Sequence, residues 1–252
     1  MSERVSLAVA NGIAEVRLSR PGKRNAIDLA MFEAIAATIG ALAARDDVRV
    51  VVLSGEGAAF CAGIDLGALE QVAAVDLGRR THGPANLFQQ AAWGWRALPC
   101  PVIAAIHGQA FGGGLQIALG ADIRIVAPDA QLSIMEAKWG LVPDMAGTVL
   151  LRGLVRDDVL RELTYTARIV GGHEAVAIGL ATRVADDPHA EALALARSIA
   201  GQKREAMRAA KRLLAMSDEE AAVRLRAEAV EQGALLPSAV QMALRAGRKP
   251  SG

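Results

Sequence analysis

Aromatic side chains are scarce in this chain of 252 residues, where they make up 3% of the composition. The hydrophobic fraction is nevertheless 52%, which is enough for a large buried interior. That interior must therefore be built from alanine, valine, leucine and isoleucine. At this length we expect one large domain, or one domain with a smaller appendage.

An excess of charge of one sign is also lacking, because 28 Lys and Arg residues face 27 Asp and Glu residues, for a net charge of +1. This balance argues against a protein that binds nucleic acid through a basic field. No uninterrupted apolar run approaches the ~18 residues needed to span a bilayer, and the start MSERVSLAVANG has no basic segment leading into an apolar one. We expect a cytoplasmic protein that binds neither nucleic acid nor membrane.

Cysteine and histidine are too few and too scattered for a disulfide framework or a metal centre. The two cysteines, Cys61 and Cys100, fit a reduced cytosolic interior. The four histidines show no spacing typical of metal ligands. We therefore expect no metal ion and no redox cofactor, and we interpret Cys61 as a small buried residue rather than a nucleophile.

The first quarter of the chain predicts a hairpin, a helix and a buried strand. Two alternating apolar runs in VSLAVANGIAEVRLS flank Asn11-Gly12, a pair typical of tight hairpin turns. IDLAMFEAIAATIGALAAR has apolar residues every three to four positions, and Asp28 is its expected N-cap. VRVVVLSG is a β-branched run of the kind that is buried on both faces, and the glycine-marked loop GEGAAFCAGIDL follows it.

The same order of strand, glycine loop and helix then recurs. PVIAAIHG predicts a buried strand, QAFGGG a second glycine loop and LQIALGAD a helix. Short strands are expected at IRIVA and QLSI, followed by a loop at MEAKWGLVPDMAG, and beyond Val149 we expect helices with one strand at GLATRV. We therefore divide the chain into an α/β core at residues 1–195 and a C-terminal helical region at residues 196–252.

Both glycine loops follow a buried strand and precede a helix, which is where open α/β proteins bind ligands. Free N–H groups at a helix N-terminus can hold a phosphate or, where two such ends converge, an oxyanion. The chain contains no G-x-G-x-x-G, no G-x-x-x-x-G-K-[ST] and no G-x-S-x-G, so these nucleotide sites and a hydrolase serine are not indicated. The glycines alone leave a close-packed turn as the alternative to an oxyanion hole.

Three segments, AAFCAGIDL, AAIHGQAFGGGLQIALGADIRI and MEAKWGLVPDMAGT, resemble signature segments of the enoyl-CoA hydratase/isomerase family, the crotonase superfamily. RPGKRNAI near the start and GLATRVA also fit the family in order and spacing. The resemblance covers nearly the whole chain and implies a spiral of repeated ββα units with a C-terminal helical region used for trimerisation. It also implies an acyl-CoA substrate, with coenzyme A as part of that substrate, and a homotrimer or a dimer of trimers.

The resemblance places an oxyanion hole at the backbone N–H groups of Ala62 and Gly113. These donors would stabilise the negative charge that develops on the thioester oxygen when an enolate forms. Lys23 and Arg24 match the family's coenzyme A-binding segment, whereas a Lys-Arg pair after Pro-Gly is by itself usually a solvated turn. The other substrate-binding residues implied by the match are Ala62 again, Gly63, Ile64, Asp65, Gly113 and Gln116.

The candidate proton-transfer groups are Glu136 and Asp144, which the resemblance aligns with carboxylates of the family. Hydratases of the family carry a first glutamate where this chain has Gln116, and an amide cannot act as a general acid or base. Gln116 would orient a water or the substrate carbonyl, or would only pack within its helix. Glu136 has a surface or helix-capping role as its alternative, and Asp144 the N-cap of a helix beginning near Met145.

The spacing of Glu136 and Asp144 resembles double-bond isomerases of the dienoyl-CoA type, which carry an aspartate where Gln116 stands here. We therefore predict double-bond isomerisation of an enoyl- or dienoyl-CoA, with Glu136 as main base and acid and Asp144 assisting. Hydration of a 2-enoyl-CoA is the second hypothesis, with Glu136 activating a water that Gln116 positions. The third hypothesis is a catalytically silent acyl-CoA-binding protein that keeps the hole but lacks the full acid/base pair.

Overall fold

The structure is a computed structural model that describes residues 4–215 and 221–247. Its strands, in chain order, are β1 (Val5–Ala10), β2 (Ile13–Leu18), β3 (Val50–Gly55), β4 (Val102–Ile106), β5 (Gln109–Phe111), β6 (Ile123–Val126), β7 (Gln131–Ser133), β8 (Val170–Gly171) and β9 (Arg183–Val184). They form a six-stranded sheet in the order β1-β2-β3-β4-β6-β9 and a three-stranded sheet in the order β5-β7-β8. With the helices between them, these two sheets confirm the predicted α/β class.

The helices alternate with these strands and then follow them. In chain order they are α1 (Leu29–Ala43), α2 (Leu69–Ala73), α3 (Leu87–Ala97), α4 (Gly113–Leu119), α5 (Gly147–Leu150), α6 (Asp157–Thr166), α7 (Gly172–Ala177), α8 (Pro188–Ala200), α9 (Arg204–Ala215) and α10 (Ala221–Gly247). Three short 3-10 turns occur at Pro21–Lys23, Leu66–Ala68 and Glu136–Trp139. Asp28 caps α1 as predicted, since its carboxylate accepts from the N–H of Met31 at 2.9 Å.

The large sheet begins with the predicted hairpin and continues with parallel strands. β1 and β2 are antiparallel in the register Val5 opposite Leu18, and Asn11 and Gly12 of the turn both have positive φ angles. The pairs β2–β3, β3–β4, β4–β6 and β6–β9 are all parallel. Their shared direction brings the carboxyl ends of β3 and β4, and thus the starts of both glycine loops, to one edge of the sheet.

Both faces of the central strands are covered, which explains their continuous β-branched sequences. One face packs against α8, where Ala192 and Ala196 contact buried residues of β3, β4 and β6. The opposite face belongs to the main core, which includes α1 and α3. The predicted boundary after residue 195 therefore falls inside α8, a helix that packs on the central sheet.

The small sheet differs from what the sequence predicts at two places. QAF in the second glycine loop forms β5, which pairs in parallel with β7, and β8 pairs with β7 in a region where no strand is predicted. These strands have three residues or fewer and depend on partners that are distant in the chain. Local sequence patterns carry no signal for such pairing.

The C-terminal helices fold back against the core. Lys211 of α9 donates to the Asp122 carboxylate and to the Cys100 carbonyl, both at 2.8 Å. α10 packs against α2, α5 and the 3-10 turn at Glu136–Trp139. Residues 216–220 and 248–252 of the predicted helical region, like residues 1–3, lie outside the described residues. Although α10 has 27 residues, no helix in the described ranges is long and apolar enough to cross a membrane.

Candidate active site

The two glycine loops lie against each other. Cys61 donates its backbone N–H to Gln109 at 2.9 Å and accepts from the N–H of Phe111 at 3.0 Å, which adds the first loop to the edge of β5. Gly63 has a φ of +90°, and a Cβ there would lie 2.6 Å from the carbonyl oxygen of Phe111. Only glycine therefore allows the first loop to approach the start of α4 this closely.

The free backbone N–H groups at this junction are not the pair that the resemblance implies. The N–H of Ala62 donates to the carbonyl of Arg24 at 2.9 Å. Within the described residues, no acceptor is bonded to the N–H groups of Ile64 or Gly113. The prediction that Ala62 offers a free donor is therefore wrong, because the turn that carries Arg24 already occupies it. The position of a Cβ on Gly63 is 3.9 Å from the Gly113 nitrogen, so the loop that carries Ile64 adjoins that donor.

The glycine triplet has a separate reason at each position. Gly112 has a φ of +49°, and a Cβ there would lie 3.2 Å from Oε1 of Glu136. A Cβ on Gly114 would lie 2.4 Å from the carbonyl oxygen of Cys61. Gly113 stands between them and begins α4. The triplet therefore brings bare backbone up to both the first loop and a carboxylate.

Gln116 is buried, and hydrogen bonds fix the direction of its amide. Its Oε1 accepts from the backbone N–H groups of Met145 and Gly147, each at 2.9 Å. Two donors identify that atom as the oxygen, so the Nε2 group must face the other way. Nε2 donates to Oε1 of Glu136 at 2.7 Å. Gln116 thus holds a carboxylate on one side and the segment after Asp144 on the other.

Glu136 is a buried carboxylate with one free oxygen. Its side chain is 8% exposed, and Oε2 has no hydrogen-bond partner among the described residues. Burial raises the pKa of Glu136 to about 7, against the opposing effects of its own backbone N–H and of Gln116. The residue preceding the 3-10 turn is Met135, so Glu136 is neither a surface carboxylate nor a cap.

Asp144 lies on the same cavity as Glu136. Burial raises the pKa of Asp144 well above its usual range, and the negative charges of Glu228 and Glu136 raise it further. Asp144 is not the cap of the next helix, because α5 begins at Gly147 and its N-cap residue is Ala146. Both carboxyl groups of the cavity therefore have a pKa above the usual range.

The cavity that joins these groups is small and adjoins a larger groove. It has a volume of about 50 Å³, and Ile64, Gly113, Gln116, Glu136 and Asp144 lie on its wall. Water needs roughly 10–15 Å³ of such volume, so the cavity has room for water but not for an acyl chain. A groove of about 800 Å³ runs between α2 and α10, and Leu236 lines both spaces.

The remaining predicted residues support the first loop or lie outside the cavity. Asp65 pairs with Arg20 at 2.8 Å and accepts from the N–H of Gly67 at 3.1 Å, which is the capping role that its position suggests. Lys23 and Arg24 are exposed. Burial raises the pKa of the Cys61 thiol to about 12, which fits a buried filler and not a nucleophile.

Sequence reasoning missed two residues that organise the site. Asn25, in RPGKRNAI, donates to the carbonyls of Ala59 and Phe60 at 2.8 and 3.2 Å and holds the first glycine loop. Glu228 of α10 accepts from the segment that follows Asp144. The available signal was a pair of polar residues four positions apart, Glu228 and Gln232, on the face of α10 that also carries buried leucines. No group of three or more metal-ligating side chains occurs among the described residues.

Comparison with known proteins shows to which family the chain belongs. The sequence model of the Enoyl-CoA hydratase/isomerase family matches residues 8–239. The mitochondrial enoyl-CoA hydratase domain-containing protein 2 of Bos taurus is 35% identical over 170 residues, which cover 67% of this chain and 56% of that protein. The mitochondrial methylglutaconyl-CoA hydratase of Mus musculus is 32% identical over 207 residues, which cover 79% of this chain and 65% of that protein. The chain thus spans less than two thirds of the length of both relatives.

The fold is shared with solved structures over nearly its whole length. The crystal structure of an enoyl-CoA hydratase/isomerase from Mycobacterium paratuberculosis superposes with a TM-score of 0.85 at 26% sequence identity. The match covers 96% of this chain and 99% of that one. The chain therefore belongs to the enoyl-CoA hydratase/isomerase family, the crotonase superfamily.

Proposed function

We propose that this protein moves a carbon–carbon double bond in the acyl chain of an enoyl- or dienoyl-CoA thioester. The observation that carries the proposal is the unpartnered Oε2 of Glu136, a buried carboxylate with a pKa of about 7. It belongs to a cavity that Ile64 and Gly113 also line. A group with this pKa is available in both protonation states near neutral pH, so it can take a proton and return it.

The reaction balances with a proton as the only group that moves. In a 3-enoyl thioester, ionised Glu136 removes a proton from C2, between the thioester carbonyl and the double bond. The electron pair of that C–H bond enters the conjugated system, and the negative charge falls on the thioester oxygen. A proton returned at C4 then leaves the double bond between C2 and C3.

The developing oxyanion is proposed to lie between the N–H groups of Ile64 and Gly113. Both are free of protein acceptors in the described residues, which supports this pair in place of Ala62 and Gly113. Preorganised donors of this kind are worth roughly 2.7–4 kcal/mol each in other enzymes. Because Gly63 and Gly113 have no side chain, the thioester would be able to approach these N–H groups closely.

Asp144 is proposed as the assisting acid. Burial and the charges of Glu228 and Glu136 raise the pKa of Asp144 well above its usual range, which favours the protonated form. Two carboxyl groups whose environments separate their pKa values provide a base and an acid at one pH. Glu136 would therefore take the proton, and Asp144 would supply or share the proton that returns.

The acyl chain is proposed to reach Glu136 from the groove between α2 and α10, with movement of the Leu236 side chain. The groove and the cavity share that residue, and the cavity alone is too small for an acyl group. Lys23 and Arg24 are proposed to contact the phosphates of coenzyme A, in line with their exposure and their match to the family segment. No other cofactor is proposed, and the assembly is proposed to be a homotrimer or a dimer of trimers.

Hydration of a 2-enoyl-CoA is the second candidate. The relatives from Bos taurus and Mus musculus carry the word hydratase in their names. The cavity beside Glu136 is also large enough for a water molecule. In this reaction Glu136 would take a proton from water while the oxygen adds to C3, and the proton would then go to C2.

A panel of substrates tests the choice between these reactions. The protein is incubated with crotonyl-CoA, a 3-enoyl-CoA and a dienoyl-CoA, and the ultraviolet absorbance of the conjugated thioester is followed. We expect absorbance to rise with the 3-enoyl-CoA and to stay constant with crotonyl-CoA. Loss of crotonyl-CoA absorbance with formation of a 3-hydroxyacyl-CoA would replace isomerisation by hydration. Tight binding of these esters without turnover would overturn both reactions and favour a catalytically silent protein.

The same panel tests the role of Glu136. Glu136→Gln keeps the size of the side chain and removes the base, so we expect turnover to fall by about 10²–10⁴-fold. Glu174→Gln is the matched control, since Glu174 is an exposed carboxylate paired with Arg168. Unchanged turnover in Glu136→Gln would remove the basis of the proposal.

A further inference from the structure

The segment after Asp144 presents four consecutive backbone N–H groups to two different side chains. Met145 and Gly147 donate to Oε1 of Gln116, on α4. Ala146 donates to Oε2 of Glu228 at 2.8 Å, and Thr148 donates to Oε1 of Glu228 at 3.1 Å. The donors thus alternate between an amide on one side of the segment and a carboxylate on the other.

The backbone is shaped to make this alternation possible. Ala146 has a φ of +66°, in the left-handed region that alanine rarely occupies. The hydroxyl of Thr148 also donates to Oε1 of Glu228, so the carboxylate receives three hydrogen bonds from two residues. A conformation of this kind persists only where the surroundings determine it. Glu228 is the partner that receives the N–H of the strained residue.

Glu228 is built into the interior and is not a surface contact. It is 5% exposed on the face of α10 that packs against α5 and the 3-10 turn of Glu136. Gln89 of α3 approaches its Oε2 at 3.5 Å and accepts from the guanidinium of Arg80 at 2.8 Å. The hydrogen-bond partners of the carboxylate are therefore N–H and O–H donors.

We propose that Glu228 is a positioning residue that docks α10 onto the segment 145–148 and so sets the geometry of Asp144. The proposal rests on the proposed function, in which Asp144 is the assisting acid. Gln116 and Glu228 hold the segment from opposite sides, and Gln116 also holds the base Glu136. Glu228 thereby links the position of α10 to that of both proton-transfer groups, Glu136 and Asp144.

The charges around Glu228 determine the sign of its effect on pH dependence. Asp144 carries the neighbouring carboxyl group, whose pKa the Glu228 charge raises, and Glu136 acts on Asp144 in the same direction. Arg80, in the loop before α3, is a cation that interacts electrostatically with Glu228. Removal of the Glu228 charge therefore lowers the pKa of Asp144. Asp144 then loses the proton that it needs as an acid at a lower pH, and activity falls there.

The activity test uses Glu228→Gln in the full chain with the substrate that the panel identifies. Gln keeps one acceptor for Thr148 but presents an NH₂ group to the N–H of Ala146. We expect kcat to fall roughly tenfold to a hundredfold, as for a misplaced catalytic group, with KM changed less than about threefold. The alkaline limb of the kcat profile should move to lower pH. An unchanged kcat and profile, or a loss of kcat without a shift of that limb, would overturn the proposal.

A second measurement does not depend on turnover. Hydrogen exchange resolved to single amides is measured in the wild type, Glu228→Ala, Glu228→Gln and the control Glu174→Gln. We expect exchange to quicken roughly tenfold at Ala146 and Thr148 and much less at Met145 and Gly147. Equal acceleration of exchange at all four amides, or no acceleration, would contradict the proposal that Glu228 holds the segment 145–148. If the wild type turns over no substrate, the proposed function fails while this result still decides the role of Glu228.

Thr148→Val provides a second test of the same contact if the Glu228 variants do not fold. It removes the hydroxyl donor and keeps the backbone N–H, so the segment loses one of three bonds to Glu228. We expect a smaller loss of kcat than in Glu228→Gln and the same direction of shift in the pH profile. A change in thermal stability with no effect on kcat or on exchange at Ala146 would overturn the positioning role.

Discussion

The Gln116 amide donates to the Glu136 carboxylate at 2.7 Å while its oxygen is held by two backbone N–H groups. An amide does not act as a general acid or base, so Gln116 takes no part in proton transfer. Its hydrogen bond nevertheless determines which oxygen of Glu136 remains free. A hydrogen bond donated to a carboxylate favours the ionised form, so Gln116 works against the burial that raises the pKa of Glu136. The proton-transfer function is thereby concentrated on one oxygen.

Replacement of Gln116 tests that relationship. In Gln116→Leu the carboxylate loses a donor worth about 1.5–3 kcal/mol, so the pKa of Glu136 should rise by about one to two units above 7. Because the base must be ionised, the acid limb of the kcat profile should move to higher pH by that amount. Gln131→Leu is the control, since Gln131 is exposed on β7. A limb at the wild-type pH would show that Gln116 does not tune Glu136.

Burial of Glu136 also predicts a dependence of stability on pH. Its pKa of about 7 lies above the ordinary glutamate value of 4.5, so between these values the folded protein binds more protons than the unfolded chain. The contribution of Glu136 to stability is therefore present below pH 4.5 and is lost as the pH rises through 7. Glu136→Gln should gain up to about 3 kcal/mol over the wild type between pH 4.5 and pH 8. Urea unfolding of both proteins at these pH values measures the difference.

That result separates a buried base from a structural carboxylate. A stability difference that shifts in favour of the wild type as the pH rises from 4.5 to 8 would mean that the ionised side chain is stabilised in the folded state. The pKa of Glu136 would then lie below its usual value. Glu174→Gln, at an exposed ion pair, is the control variant in the same experiment.

Gly113→Ala tests the approach of the substrate to the start of α4. The added Cβ would lie 2.8 Å from Sδ of Met145 and 3.2 Å from Cδ1 of Ile27, both in flexible side chains that can shift. The fold should survive, but the methyl group enters the space beside the Gly113 N–H. We expect kcat/KM to fall by about 10²-fold, comparable to the loss of one oxyanion donor. Gly40→Ala, in open space on α1, should keep full activity and gain up to about 1 kcal/mol of stability.

Leu236→Ala tests the path between the groove and the cavity. Leu236 is 5% exposed and lines both spaces, so its truncation should join them. We expect kcat/KM to rise for long acyl chains relative to short ones, at a cost of about 2–5 kcal/mol in unfolding free energy. Steady-state kinetics with a series of acyl lengths measures the ratio. An unchanged ratio in a folded variant would place the acyl path elsewhere.

The elements predicted correctly are those whose signals are local. The Asn11-Gly12 hairpin and the Asp28-capped helix α1 follow from turn and capping chemistry within a few residues. β5 and β8 escaped because their short strands exist only through pairing with β7. The boundary after residue 195 missed the role of α8, whose alanines cover one face of the central sheet.

The candidate site divides in the same way. The sequence by itself determined the family, the two glycine loops and the carboxyl groups Glu136 and Asp144, because residue types and spacing carry them. Tertiary structure alone decided that Arg24 occupies the N–H of Ala62 and that Glu228 grips the segment after Asp144, a contact between residues 82 positions apart. It also decided that the pKa values of both carboxyl groups are raised. Burial and neighbouring charge set those pKa values, and both arise only when distant parts of the chain meet.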